Sequence, residues 1–278
     1  MRIVLFTHLL LLLLNTSFAQ NRAYNIFVKS REVFNSVENM TYSNLAVERI
    51  DGKLSSAKLA HTKVNRKPYK LYLKQERENG AEILYDEEVT KKTALINPGS
   101  FPFINLNLDP NGSIMHKGEH HSILQADINY TYKIINQSLL NDEDKNKMSY
   151  INTVMINGVE YHKIKLNNYD YKIVNYTVKA NDDLIKIADK LYLNSYSIME
   201  LNDDIDDLYD VKPGQVIKVP NHYAKETILY INTKTYLLYK ILVYDLKGLY
   251  ESYIFKNLKI NVKFKPDEFS KTFNEYNF

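Results

Sequence analysis

Three imidazoles and a carboxylate crowd into His116-Lys117-Gly118-Glu119-His120-His121, the densest set of possible metal ligands in the chain. The segment follows the turn-forming residues Asp109, Pro110, Asn111 and Gly112, and its spacing fits no zinc template. It is expected to be a loop off any helix, with imidazoles solvated or bonded to the protein. A second cluster, Asp203, Asp204, Asp206, Asp207 and Asp210, has the acidity of a calcium loop but lacks its central glycine and closing glutamate. It is expected to be a solvated link between a helix and a strand. No Gly-x-Ser-x-Gly, His-Glu-x-x-His or phosphate-binding loop occurs. Catalytic residues, a metal site and a cofactor are therefore not assigned. Tyr42, Tyr72, Tyr132, Tyr230, Tyr244 and Tyr253 fit two readings, a ligand-cavity lining or half-buried strand positions, and the second is expected.

The elements that must carry these residues follow from periodicity. Residues 22–39 place Ile26, Phe27, Ser30, Val33, Phe34 and Val37 at helical spacing, which predicts an amphipathic helix. Short strand signals follow one another from residue 41 to 108, separated by Asp51-Gly52, Lys67-Pro68, Asn79-Gly80 and Pro98-Gly99. In the first, Ser43, Leu45 and Val47 alternate onto one face. Ile128, Ile134, Ile135 and Leu139 predict a second amphipathic helix over 127–140. Strands return at 150–166 and again at 227–262. Regular strands with turn chemistry between them predict a meandering antiparallel sheet.

Residues 175–220 break this series with a βααβ unit of their own. A short strand at 176–179 leads through Asn181, Asp182 and Asp183 into a helix striped by Leu184, Ile187, Ala188 and Leu191. Asn194 and Ser195 can cap a shorter helix carrying Ile198 and Leu201. Pro213-Gly214 then turns into a second strand, 215–219. The string Tyr176-Thr177-Val178, Asp182, Leu184, Ile187-Ala188, Leu201-Asn202 and Lys212-Pro213-Gly214-Gln215 with Ile217 and Pro220 resembles a LysM domain. That resemblance implies a binder of N-acetylglucosamine-containing glycan such as peptidoglycan. Its groove would lie between two loops, formed by Lys179, Ala180, Asn181, Asp182, Asp183 and Leu184 on one side and Asp204, Ile205, Asp206, Asp207 and Leu208 on the other. Leu184 and Ile205 would cover the N-acetyl methyl group. The family's usual glycine in the first turn is Asn181 here, which tolerates the same positive φ.

The flanking parts resemble the LolA/LolB superfamily of lipoprotein carriers, and more narrowly a LolA-like family of exported bacterial proteins. The resemblance rests on the leading helix, the strand meander, the crossing helix and a closing block. In that block stand Tyr230-Ile231-Asn232-Thr233-Lys234-Thr235-Tyr236-Leu237-Leu238, Tyr244-Asp245, Gly248, Tyr253, Phe255, Asn257, Ile260-Asn261, Phe264 and Phe269. The implied fold class is α+β, a curved antiparallel half-barrel sheet with covering helices and a small βααβ LysM domain inserted. The domains expected are a signal peptide at 1–19, a half-barrel from 20–174 and 221–278, and the LysM domain at 175–220.

The first twenty residues carry one basic side chain, Arg2, then an apolar run to Leu14 and small residues to Ala19. That is the pattern of a secretory signal peptide. The 278 residues contain no cysteine, so disulfides, thiolate metal sites and an acylated cysteine anchor are excluded. A formal net charge of only +3 and the absence of a basic stripe argue against a nucleic-acid partner. The expected protein is exported to the periplasm or cell envelope and is not an enzyme. It binds peptidoglycan through its LysM unit, and its half-barrel holds a lipid or lipoprotein acyl chain. The alternative is an interaction protein with a self-filled half-barrel and a LysM unit used for protein contacts.

Overall fold

A computed structural model of the chain describes residues 22–76, 80–90, 92–101, 103–139 and 147–278. The expected signal peptide and Asn79 of the expected hairpin turn lie outside these residues. A helix, α1, covers 22–35 and presents Ala23, Ile26, Phe27, Ser30 and Phe34 to the interior. It stops short of the expected residue 39. Arg66 donates to the main-chain oxygen of Phe34, a free carbonyl of the last turn, and to that of Val37 just beyond the helix.

Fourteen strands follow among the described residues. They are β1 (Asn39–Ile50), β2 (Lys53–Leu54), β3 (Lys58–Arg66), β4 (Tyr69–Gln75), β5 (Glu82–Asp86), β6 (Ala94–Asn97), β7 (Leu106–Leu108), β8 (Met148–Ile156), β9 (Val159–Asn167), β10 (Ile173–Thr177), β11 (Val216–Pro220), β12 (Glu226–Asn232), β13 (Leu238–Asp245) and β14 (Gly248–Ile260). Between them lie α2 (Ser113–His116), α3 (Asn129–Gln137), α4 (Leu184–Leu191) and α5 (Ser195–Glu200). Twelve strands form one open antiparallel sheet in the order β7-β6-β5-β4-β3-β1-β14-β13-β12-β9-β8, with β2 paired to β1 off this path. This is the curved α+β half-barrel that the sequence implies.

The concave face is filled by the protein itself. Phe27, Phe34, Met40, Leu71, Tyr132, Met148, Ile164 and Leu229 are all below 2 % exposed and belong to one continuous core. Tyr132 of α3 fastens α1 over the sheet. Its ring packs 5.7 Å from Phe27 and 5.2 Å from Phe34, and its hydroxyl lies 2.5 Å from Ser30 Oγ. On the outer face the C-terminal tail crosses β3–β5. There Tyr276 stacks on Tyr72 at 3.6 Å, and Asn277 donates its main-chain N–H to Glu82.

In β1 Met40, Tyr42 and Glu48 are buried on one face, while the face shared by Ser43, Leu45 and Val47 has Ser43 buried and Leu45 and Val47 half-buried. Two expectations are corrected. The six tyrosines do not share one surface. Tyr42 and Tyr253 point inward with Tyr132, which is helical, whereas Tyr72 meets the tail and Tyr230 lies under Lys163 and Lys240 outside. Finally, His116 ends a helical turn, α2, where no helix was expected.

The chain leaves the sheet after β9 and re-enters it at β12, and these two strands pair directly from Asn167↔Glu226 to Tyr161↔Asn232. The LysM unit is therefore inserted. Its own sheet, β10-β11, begins two residues earlier than expected, at Ile173 paired with Pro220. Its own core holds Val178, Leu184, Ile187, Ala188, Leu193, Ile198, Ile205, Leu208, Ile217 and Val219. Leu71→Ala in the sheet and Ile187→Ala in the insert should each lower stability by about 2–5 kcal/mol. Urea unfolding should show one shared transition for both variants, and two separated transitions would show that the units unfold independently.

Candidate functional site

The two loops expected to form a groove do meet. Leu184 N–H donates to the Leu208 main-chain oxygen at 2.9 Å, joining them at their base. In the first loop Asn181 sits at φ +66°. Asp182 folds back to accept from Lys179 N–H at 2.9 Å and the Tyr176 hydroxyl at 2.8 Å. The Lys179 bond is the main reason its carboxyl is held below the usual range. Asp183 caps α4 by accepting from Lys186 N–H at 2.8 Å, and it pairs with the Lys186 ammonium at 2.7 Å. Lys179 and Ala180 are exposed.

The second loop is pinned by buried Asn202, which donates to the Ile198 and Lys218 main-chain oxygens and accepts from Lys218 N–H. Asp204 and Asp206 are exposed. Asp204 also borders an open cavity of about 240 Å³ with Asp210, Lys212 and Gln215. Leu184, Ile205 and Leu208 are 0 %, 4 % and 4 % exposed and belong to the insert's core. Leu184 and Ile205, expected to cover a methyl group, are packed into that core rather than exposed.

The structure brings His120 and His121 together on one carboxylate oxygen, Glu251 Oε1, and gives His116 a separate place. His116 is buried with no hydrogen-bond partner on either nitrogen, and burial pushes its imidazole below the ordinary value. His120 becomes the centre of the junction between sheet and insert. Its Nδ1 lies 2.9 Å from Glu251 Oε1, and its Nε2 lies 2.9 Å from the Arg49 main-chain oxygen. The ring is sandwiched between Tyr250 of β14 at 4.3 Å and Tyr196 of α5 at 4.8 Å.

Helix α5 supplies the rest of the docking face. Asn194, its N-cap, donates to the His120 main-chain oxygen at 3.0 Å. The Tyr196 hydroxyl accepts from Asp51 N–H at 2.9 Å, and Glu200 lies 3.5 Å from Arg49 Nη2. A cavity of about 70 Å³ remains beside this contact, with Glu200, Lys247 and Tyr250 among its walls.

Behind His120 lies a closed ionic network. Glu251 faces His121 Nε2 at 3.2 Å and the Tyr223 hydroxyl at 3.0 Å, while Glu48 accepts from His120 N–H and the Tyr253 hydroxyl. Burial opposes charge on Glu251, but His121 and His120 outweigh it and hold the carboxyl at about 2. Burial likewise opposes charge on His121, yet Glu251 raises it to about 9. Among the described residues no group of three or more His, Asp or Glu side chains is arranged to hold a metal ion. Sequence reasoning missed Glu48, Glu251, Asn194 as a docking residue, Tyr196 and Tyr223. The available signal was a glutamate inside an aromatic strand, at Glu251.

Comparison with known proteins places this arrangement. The family model described as Protein of unknown function (DUF1571) matches residues 37–185. The chain belongs to the DUF1571 family. The LysM domain model matches residues 176–220 of this DUF1571 protein, the inserted unit. Among curated proteins none matches the chain. Solved structures similar to it include the lipoprotein LppX of Mycobacterium tuberculosis, at 10 % identity and TM-score 0.40 over 86 % of this chain and 95 % of that one. A DUF1329 family protein from Desulfovibrio piger aligns at 8 % identity and TM-score 0.33 over 91 % and 98 %. So does a domain of a candidate outer membrane lipoprotein-sorting protein from Vibrio parahaemolyticus, at 8 % and 0.33 over 91 % and 97 %. The architecture is a LysM domain inserted in a large open antiparallel sheet, and no helix among the described residues is long and apolar enough to cross a membrane.

His120→Ala should cost about 3–5 kcal/mol in urea unfolding, because it leaves a buried carboxylate short of a partner. The network also sets a pH window. The raised pKa of His121 makes its contribution full below its ordinary 6.5 and lost as pH rises through about 9. The lowered pKa of Glu251 makes its contribution full above its ordinary 4.5 and lost as pH falls through about 2. Thermal midpoints should therefore decline on the alkaline side, and Glu251→Gln should remove that decline.

Proposed function

We propose that this protein is exported to the bacterial periplasm or cell envelope. There it binds the N-acetylglucosamine-containing glycan of peptidoglycan through its LysM unit and performs no catalysis. The observation that carries the reading is the pair of loops joined at Leu184 and Leu208, inside the span matched by the LysM model. Lys179–Leu184 and Asp204–Leu208 are the residues assigned to the glycan. Main-chain polar groups of these loops would bond the N-acetyl amide, and the carboxylates would accept from sugar hydroxyls. The anionic peptide stems of peptidoglycan would be repelled, so unsubstituted glycan stretches suit the groove. The domain division that goes with this reading is a signal peptide at 1–19, a half-barrel at 20–174 and 221–278, and the LysM domain at 175–220.

For the half-barrel the packing favours the second reading. Phe27, Phe34 and Tyr132 occupy the concave face where an acyl chain would lie. A lipid could enter only by displacing α1 and α3. The half-barrel therefore serves as a self-filled scaffold that carries and orients the LysM unit.

Sedimentation of residues 20–278 with purified insoluble peptidoglycan tests the glycan reading. The protein should pellet with the sacculi, and an Asn181→Ala/Asp182→Ala variant should pellet substantially less. If the wild type stays in the supernatant even at low salt, the LysM unit is a protein-contact module. Mass spectrometry of the purified protein, extracted with organic solvent, should find no stoichiometric acyl lipid. A bound lipid would mean that α1 moves.

A further inference from the structure

We propose that the glycan groove is a composite site: the half-barrel's loop after β7 forms its far wall and fixes Tyr209 as a stacking platform for a pyranose ring. The proposal rests on the glycan reading above and extends it to residues outside the LysM unit. Tyr209 directly follows Leu208, where the two groove loops are joined, and it is 45 % exposed. An exposed tyrosine ordinarily swings freely. This one is held at both ends. Its N–H donates to Asp207 Oδ1 at 2.9 Å, and its hydroxyl donates to the Asn111 main-chain oxygen at 2.8 Å.

The same half-barrel loop takes the other side of Asp207, whose Oδ2 accepts from the Ser113 hydroxyl. Asn111 and Ser113 are themselves rigidly placed. Asn111 N–H donates to Asp109 Oδ1, Gly112 N–H to the Asp109 main-chain oxygen, and buried Ser122 Oγ to the Pro110 oxygen. Gly112 permits the turn, since a Cβ there would sit 3.1 Å from the Asp109 oxygen. Burial raises the Tyr209 hydroxyl above its ordinary value, and the nearby carboxylates of Asp109, Asp183 and Asp207 add to the shift. Two segments thus converge at Tyr209, the second LysM loop and the half-barrel.

The chemistry suits a neutral N-acetylated oligosaccharide. The C–H face of a pyranose packs against an aromatic ring, and its hydroxyls donate to carboxylates. A ring whose hydroxyl is already bonded, on a main chain pinned by Asp207, loses little freedom when a sugar stacks on it. The surrounding carboxylates disfavour a glycan that carries acidic substituents.

Isothermal titration of N-acetylglucosamine tetramer into residues 20–278 tests the inference. The wild type, Tyr209→Ala, Tyr209→Phe, Ser113→Trp and Ser113→Ala would be compared, each with its thermal midpoint. Tyr209→Ala should weaken binding roughly tenfold, as loss of an aromatic contact implies. Ser113→Trp, a change in the half-barrel alone, should weaken it comparably by crowding the far wall. Tyr209→Phe and Ser113→Ala, which only release the wall, should give smaller losses. Wild-type binding left unchanged by Tyr209→Ala and Ser113→Trp would overturn the composite site and leave the glycan reading intact. Absence of wild-type binding would overturn both. Should Tyr209→Ala or Ser113→Trp lower the thermal midpoint, Tyr209→Phe and Ser113→Ala decide.

Discussion

A carboxylate closed away from water must be neutralised, and Glu251 sets that demand at the centre of this molecule. It is 1 % exposed, and its needs are met by His120, His121 and Tyr223. Meeting them draws the 116–121 segment down onto the sheet. Once His120 is there, its flat ring and its main-chain oxygen become the surface on which Tyr196 and Asn194 settle. The position of the LysM unit thus follows from a charge on β14. Buried ion pairs add little net stability compared with apolar packing, but they define one arrangement sharply, because partial pairing is costly. Here the arrangement defined is the angle at which one unit meets the other.

That rigidity changes what the LysM unit can do. A module on a flexible tether samples many orientations, and its binding is independent of its host. In this protein α5 is embedded at the junction and the second groove loop leans on the half-barrel at Ser113 and Asn111. The LysM groove and the sheet form one surface. A single LysM groove is shallow, and a fixed neighbour is one way to enlarge it without repeating the module.

Much of this was legible in the sequence where local chemistry decides structure. Asp183 and Asn194 announced both caps of the insert, and Asn181 announced the positive φ of its first turn. The stripe of α1 and the return of strands after the insert followed from periodicity and turn residues. What could not be read depends on distant partners. Alternation in β1 did not disclose that Glu48 lies buried, satisfied by a backbone N–H 72 positions away. Nothing near Tyr209 in sequence discloses that its hydroxyl is held by a residue 98 positions earlier. The role of His120 was hidden for the same reason: three histidines in a turn look like ligands or solvent-facing residues until the carboxylate opposite is known.

The place of β1 in the sheet carries a kinetic consequence. One of its neighbours, β3, is close in sequence, while the other, β14, lies some two hundred residues onward: Leu45 pairs with both Leu59 and Ile254. Until β14 has been made, the inner edge of β1 has no partner and the sheet exists only as two separate arms. Contacts of such long sequence separation slow folding. The two arms can therefore join only once nearly the whole chain is available.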